Sequence, residues 1–186
     1  MHRLAIALAV LLAFASGVAH AVVYNEATNG DLSNNGNAPT SLGAFGIGTH
    51  SVLSTSAGGD IDDFTFTIPA GATLTQIVPT AYAGFDETAF IGVQAGNTVD
   101  HSGLSLIGYQ HFGPGQGNMN TNILPFISPS GPLGPGSYTV WMQQAGSSAT
   151  YTMDFVVTPE PGSIATIALL AFAFTTARAP RRGGRR

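Results

Sequence analysis

The chain has 186 residues, with six Arg, no Lys, ten acidic residues, five His and no Cys, a length suited to one globular domain. Residues 22–158 hold nine acids and neither Lys nor Arg, a formal charge of −9, which excludes nucleic-acid binding by this body because phosphate neutralisation needs a cationic surface. The lack of cysteine excludes a disulfide framework, thiol catalysis and thiolate metal sites.

Residues 1–21 read MHRLAIALAVLLAFASGVAHA: a cation at Arg3, an apolar run from Leu4 to Ala15, then small residues ending Ala19, His20, Ala21. This is the layout of a secretory signal peptide with an A-x-A cleavage site, for which signal peptidase is the processing partner. The apolar run is short of the ~20 residues that span a bilayer, which argues against an N-terminal anchor. The mature chain is expected to begin near Val22.

From Val22 the composition turns to Gly, Asn, Ser and Thr without a long helical period. Asn29 to Asn37 (NGDLSNNGN) is a polar turn cluster. Gly43, Gly46 and Gly48, and later Gly113, Gly115 and Gly117, precede no amphipathic helix that could aim amides at a phosphate, so they read as turn glycines. His50 to Ser54 is a strand candidate.

Asp60, Asp62 and Asp63 then set three carboxylates in four residues before a strand. Two readings stay open: a strand-end calcium site, completed by carbonyls or another acid such as Asp86 or Glu87, or a solvated acidic strand entry. A divalent ion would relieve the repulsion of an uncompensated acidic body. Phe64, Phe66 and Ile68 alternate with Asp63, Thr65 and Thr67, the period of a half-buried strand, which Pro69-Ala70-Gly71 stops.

Leu74 to Tyr82, Ala89 to Gln94, Leu104 to Phe112 and Ile123 to Ile127 are further strand candidates, Pro79 and Pro125 assigning theirs to edges or bulges. Tyr138, Val140 and Met142 alternate with Thr139, Trp141 and Gln143; Tyr151, Met153, Phe155 and Val157 alternate with Thr150, Thr152 and Asp154. The spacing predicts a hairpin of these two across Ala145–Ser148. Eight short strands result, an all-β sandwich or jelly roll over residues 22–157.

The last segment, residues 158–186, carries Pro159, Glu160 and Pro161, an apolar stretch from Ile164 to Ala177, and Arg178, Arg181, Arg182, Arg185 and Arg186. As a helix the apolar stretch is about 21 Å long, and extension to Gly162 and Pro180 brings it close to the ~30 Å hydrocarbon core. Arginines at its end are expected to stay cytoplasmic, which puts the acidic body outside, in agreement with the signal peptide. This ordered triplet resembles the PEP-CTERM sorting signal of Gram-negative bacteria. The resemblance implies recognition and removal of the tail by exosortase, transient residence in the inner membrane, and delivery to the cell surface or to a biofilm matrix of exopolysaccharide. In that reading Pro159, Glu160 and Pro161 are a substrate motif, the prolines keeping the backbone extended. The alternative is a permanent C-terminal anchor.

A fainter resemblance joins Asp60–Leu74 with Pro135–Val140: an acidic entry to an aromatic strand, a Pro-Ala-Gly turn and a Gly-x-Tyr strand. It is similar to the bacterial pre-peptidase C-terminal domain, which implies a jelly-roll-like accessory or binding module, sometimes with calcium.

Enzyme signatures are absent: no G-x-S-x-G, no H-E-x-x-H, no P-loop. His50, His101 and His111 are the imidazoles left to a mature chain, in no recognised ligand spacing, and read as solvent-exposed loop residues. Trp141 and the scattered Tyr suggest no aromatic platform. The expectation is a non-enzymatic exported protein, structural in an exopolysaccharide setting, with a calcium-dependent carbohydrate-binding module and a secreted hydrolase as the two alternatives.

Overall fold

Alternating apolar and polar side chains fix the strands, and a four-stranded and a five-stranded sheet result. The computed structural model describes residues 20–144, 146–160 and 162; the folded body begins with β1 at His20 and ends with β9 at Pro159. Arg3, Ala19, Pro161, the apolar stretch from Ile164 to Ala177 and the five C-terminal arginines lie outside the described residues, as does most of the expected signal peptide. Among the described residues no helix is long and apolar enough to cross a membrane.

The elements are β1 (His20–Asn25), α1 (Glu26–Asn29), β2 (Thr40–Ala44), β3 (Gly48–Ser56), β4 (Ile61–Ile68), β5 (Ala72–Gly84), β6 (Ala89–Ala95), β7 (Gly108–Phe112), α2 (Leu124–Ile127), β8 (Gly136–Gln143) and β9 (Ala149–Pro159). One sheet has the order β1-β3-β9-β5, the other β2-β4-β8-β6-β7. Most neighbours are antiparallel, but the edge strands β1 and β2 run parallel to β3 and β4, a departure from an all-antiparallel jelly roll.

The inner faces are mainly apolar, with Ser54, Ser56 and Asp62 as buried polar exceptions. Phe64, Phe66 and Ile68 of β4 and Val140 and Met142 of β8 are buried, as are Met153, Phe155 and Val157 of β9. The sheets meet through rings: Phe155 lies 5.7 Å from Phe64 and 5.5 Å from Phe66, and Phe45 stacks on Phe66 at 4.4 Å. Offset and edge contacts of this kind add to the transfer free energy of burial. At the predicted Pro-Ala-Gly stop the Ala72 N–H donates to the Pro69 carbonyl and Gly71 has φ 78°, a conformation that favours glycine.

Three expectations are corrected. First, β8 and β9 are not a hairpin, since they belong to different sheets. Alternation shows which side of a strand is buried, not which strand lies beside it. Gln144, 3 % exposed, anchors the crossing: its N–H donates to Ser56 Oγ, and its Nε2 donates to the Thr88 carbonyl and the Tyr82 hydroxyl. Second, Ile123 to Ile127 is not a strand, because Leu124–Ile127 forms the short helix α2 with Pro125 in its first turn, where proline is tolerated. Asn122 Oδ1 accepts from the Leu124 N–H, and Leu124 and Ile127 are buried three residues apart. Third, β7 begins only at Gly108, the preceding residues forming turns around Asp100 and Gly103.

β1 and β2 are strands not expected from the sequence. β2 passes through the glycine-rich segment with a register shift between Ser41 and Ala44 and φ 75° at Gly43. β1 starts two residues before the expected mature start, so cleavage after Ala21 keeps Val22–Asn25 of that strand. Pro79 lies in β5 at a sheet edge, as its missing N–H requires.

Candidate functional site

The five-stranded sheet has an outer face unlike its inner one. On β4, β8, β6 and β7 the residues Asp63, Trp141, Gly92 and Tyr109 align across the sheet, and the next row is Ile61, Gln143, Phe90 and His111. Gly92 therefore stands between Trp141 and Tyr109 where any other residue would place a side chain. A Cβ there would come 2.9 Å from Leu106 and 3.1 Å from the tip of Phe90, so the missing side chain is what lets Phe90 bridge the two flanking rings.

The result is a connected row of rings. Phe90 lies 4.6 Å from Trp141 and 5.6 Å from Tyr109, stacked on the latter with 29° between planes. His101, from the loop between β6 and β7, packs on Trp141 at 4.9 Å, and His111 meets Phe90 edge-on at 5.9 Å. Tyr109 is 57 % exposed; Phe90 and Trp141 are half-buried. The Trp141 indole N–H has no protein acceptor.

His101 is held in place. Its Nε2 lies 2.9 Å from Oδ2 of Asp63, which is fully buried, while the imidazole is 31 % exposed. Burial pushes the Asp63 carboxyl up, opposed by the hydrogen bond and charge of His101. The loop is clamped to the polar turn cluster by the Val99 N–H donating to the Gly36 carbonyl.

Two open clefts lie on this face. One, of about 340 Å³, is lined by Asn34, Asn35, Asn37, Gln94, Asp100 and His101. The carboxamide oxygens of Asn34, Asn35 and Gln94 accept the N–H groups of Ile61, Asn37 and Asp100, leaving their NH2 groups as donors. The other, of about 360 Å³, lies against Phe90, Trp141, His111 and Gln143. The Trp141–His101 contact separates them.

The expected acidic site is rearranged. Asp62 and Asp63 are both fully buried, so the strand entry is not solvated. They point to opposite faces of β4, as alternation requires: Asp63 to the outer face and Asp62 between the sheets, where Asp62 Oδ2 accepts from Ser54 Oγ at 2.5 Å and from Tyr151 Oη at 2.6 Å. Asp60, Asp62 and Asp63 therefore do not converge. Among the described residues the acids that do converge are Glu26, Asp31 and Asp62, each with an oxygen within 4.8 Å of the others. The buried Oδ1 of Asp62 has no hydrogen-bond partner. Burial, with Glu26 and Asp60 adding to it and the two hydroxyl donors opposing, pushes the Asp62 carboxyl up to about 8. Burial and the Asp62 carboxylate hold the Tyr151 phenol well above its usual range.

The histidines are also more engaged than loop residues would be. The His50 ring is partly buried, stacked on Phe45 at 4.6 Å with Nε2 on the Gly46 carbonyl. Only His111 is an exposed side chain without a hydrogen bond among the three. A hydroxyl–imidazole pair occurs at Ser51 and His20, 3.1 Å apart; Asp154 accepts from the serine and lies 3.8 Å from the same imidazole nitrogen, whereas in a hydrolase relay the carboxylate holds the opposite ring nitrogen. Expected signal cleavage also removes His20. Of the sorting motif, Pro159 closes β9 and Glu160 follows it, half-buried.

The aromatic row is not among the features expected from the sequence. Its signal was present: Trp141 and Phe90 occupy the polar phase of strands whose other phase is apolar, which is where an outward ring is found.

No family model matches the chain, and no curated protein matches it. Among solved structures it is similar to PliG of Aeromonas hydrophila, a periplasmic lysozyme inhibitor of g-type lysozyme, at 12 % identity and a TM-score of 0.35, covering 64 % of this chain and 98 % of that one.

Proposed function

We propose that the chain is an exported, non-enzymatic protein of the bacterial surface or extracellular matrix, cut by signal peptidase near Val22 and by exosortase at or near Pro159–Pro161. The observation that carries this reading is the order of signals around the body: a cationic start and apolar run before it, and Pro-Glu-Pro, an apolar stretch and five arginines after it. The fold is compatible with such processing. β9 ends at Pro159, so a cut just after it leaves the nine strands of the described residues with the body. The acidic body, without Lys or Arg between residues 22 and 158, suits a hydrated exopolysaccharide matrix.

Calcium remains part of this reading through Glu26, Asp31 and Asp62 in place of Asp60 and Asp63. Three hard carboxylate oxygens within 4.8 Å, one residue carrying a buried oxygen without a partner, form the kind of donor set calcium takes.

Replacing Glu160 by Ala and Pro161 by Ala together in the producing cell tests the sorting step. The full-length chain is expected to accumulate in the membrane fraction while the extracellular matrix loses it. Unchanged matrix content would overturn the proposal.

A further inference from the structure

The outer face of the five-stranded sheet combines three properties that one ligand class satisfies together. It offers apolar rings in a row across adjacent strands, Trp141, Phe90 and Tyr109, continued by the imidazole of His101, their planes inclined to one another by 29° to 58°. It sets carboxamide donors and the Asp100 carboxylate beside those rings. It is fixed before any ligand arrives: the strands carry Trp141, Phe90 and Tyr109 in register, and buried Asp63 holds His101, so little ordering free energy is lost on binding.

We propose that this face binds a neutral polysaccharide chain, sugar rings packing against exposed Tyr109 and the outward parts of Phe90 and Trp141 while hydroxyls meet Asn34, Gln94 and Asp100. A pyranose ring has an apolar face of C–H groups, which an aromatic ring covers, and an equatorial rim of hydroxyls, which amides and carboxylates bond. The clefts are open on both sides of the Trp141–His101 contact, which suits an extended polymer passing across the strands rather than an enclosed small molecule. Charge selects the neutral polymer: residues 22–158 hold nine acids and no Lys or Arg, so a polyuronate is repelled and finds no cation to bind. The inference rests on the matrix reading for where such a polymer is met, but binding itself does not depend on the tail.

Trp141 is the one tryptophan of the chain, so its fluorescence reports this face directly. The full chain is titrated with cellohexaose, mannohexaose, maltohexaose and hexagalacturonate. At least one neutral hexasaccharide is expected to shift the emission saturably, and hexagalacturonate to leave it unchanged. Tyr109→Ala, at an exposed position where the fold tolerates truncation, is expected to weaken binding about tenfold, the loss of one aromatic contact, with an unchanged melting temperature. No shift with any neutral hexasaccharide, an equal shift with hexagalacturonate, or full binding by Tyr109→Ala would each overturn the proposal. A protein captured by the wild type and lost by Tyr109→Ala, with no hexasaccharide bound, would overturn it in favour of protein docking. Failure of processing at Pro159–Pro161 with hexasaccharide binding intact would count against the sorting reading alone.

Discussion

Replacing Asp62 by Asn probes the buried acid between the sheets. The folded-state carboxyl titrates at about 8 because burial disfavours its charge, whereas in the unfolded chain it titrates near its ordinary value of about 3.9. The folded protein thus holds a proton across that window which the unfolded chain has released. Stability from this group is complete below about pH 4 and is lost as pH rises toward 8. The slope is about 1.4 kcal/mol per pH unit, and the whole window amounts to on the order of 5 kcal/mol, a large share of the ~5–15 kcal/mol typical of a domain. In Asp62→Asn the amide oxygen still accepts from Ser54 and Tyr151. Its NH2 occupies the place of Oδ1, which has no partner in the wild type either. The variant is therefore expected to match the wild type near pH 4.5 and to exceed it by several kcal/mol at pH 8. Asp63 is raised in the same direction, so the variant keeps part of the slope, and the difference between the two proteins is the quantity to measure. Urea unfolding followed by Trp141 fluorescence from pH 4.5 to 8.5 provides it. Parallel curves for the two proteins, or a variant less stable at pH 8, would show that the buried Asp62 proton does not set this pH dependence.

Millimolar calcium at pH 8 is expected to raise the melting temperature of the wild type by neutralising Glu26, Asp31 and Asp62, and to leave Asp62→Asn nearly unchanged; equal responses would place any binding elsewhere. Gly36→Ala puts a Cβ 2.2 Å from the Val99 carbonyl oxygen and 3.2 Å from His101 Nε2. Because backbone cannot yield cheaply, a cost of about 1–3 kcal/mol is expected from the urea midpoint, and an unchanged midpoint would contradict the clamp between the two loops.

The sequence made the strand segments legible wherever one side was apolar: β4, β8 and β9 follow from the alternation at Asp63–Ile68, Tyr138–Gln143 and Thr150–Val157. What it could not supply was partnership. Nothing local distinguishes a turn that folds β9 back on β8 from one that carries it to the other sheet, since the choice rests on Gln144, a polar residue buried by contacts with Ser56, Tyr82 and Thr88, all distant in sequence. The candidate site was hidden for the same reason. Phe90, Tyr109 and Trp141 are 19 to 51 residues apart and meet only through the register of β6, β7 and β8. Asp60, Asp62 and Asp63 were visible as a cluster, yet strand alternation sends Asp62 and Asp63 apart, and the acids that join Asp62 come from the segment around α1.

In the proposed function a folded, acidic β body is delivered outside the cell and freed of both ends. The intact mass of the protein recovered from the cells that make it tests this most directly. A species that begins near Val22 and ends at or near Pro159–Pro161 is the predicted result. A species that still ends at Arg186 would contradict it and make the tail a permanent anchor.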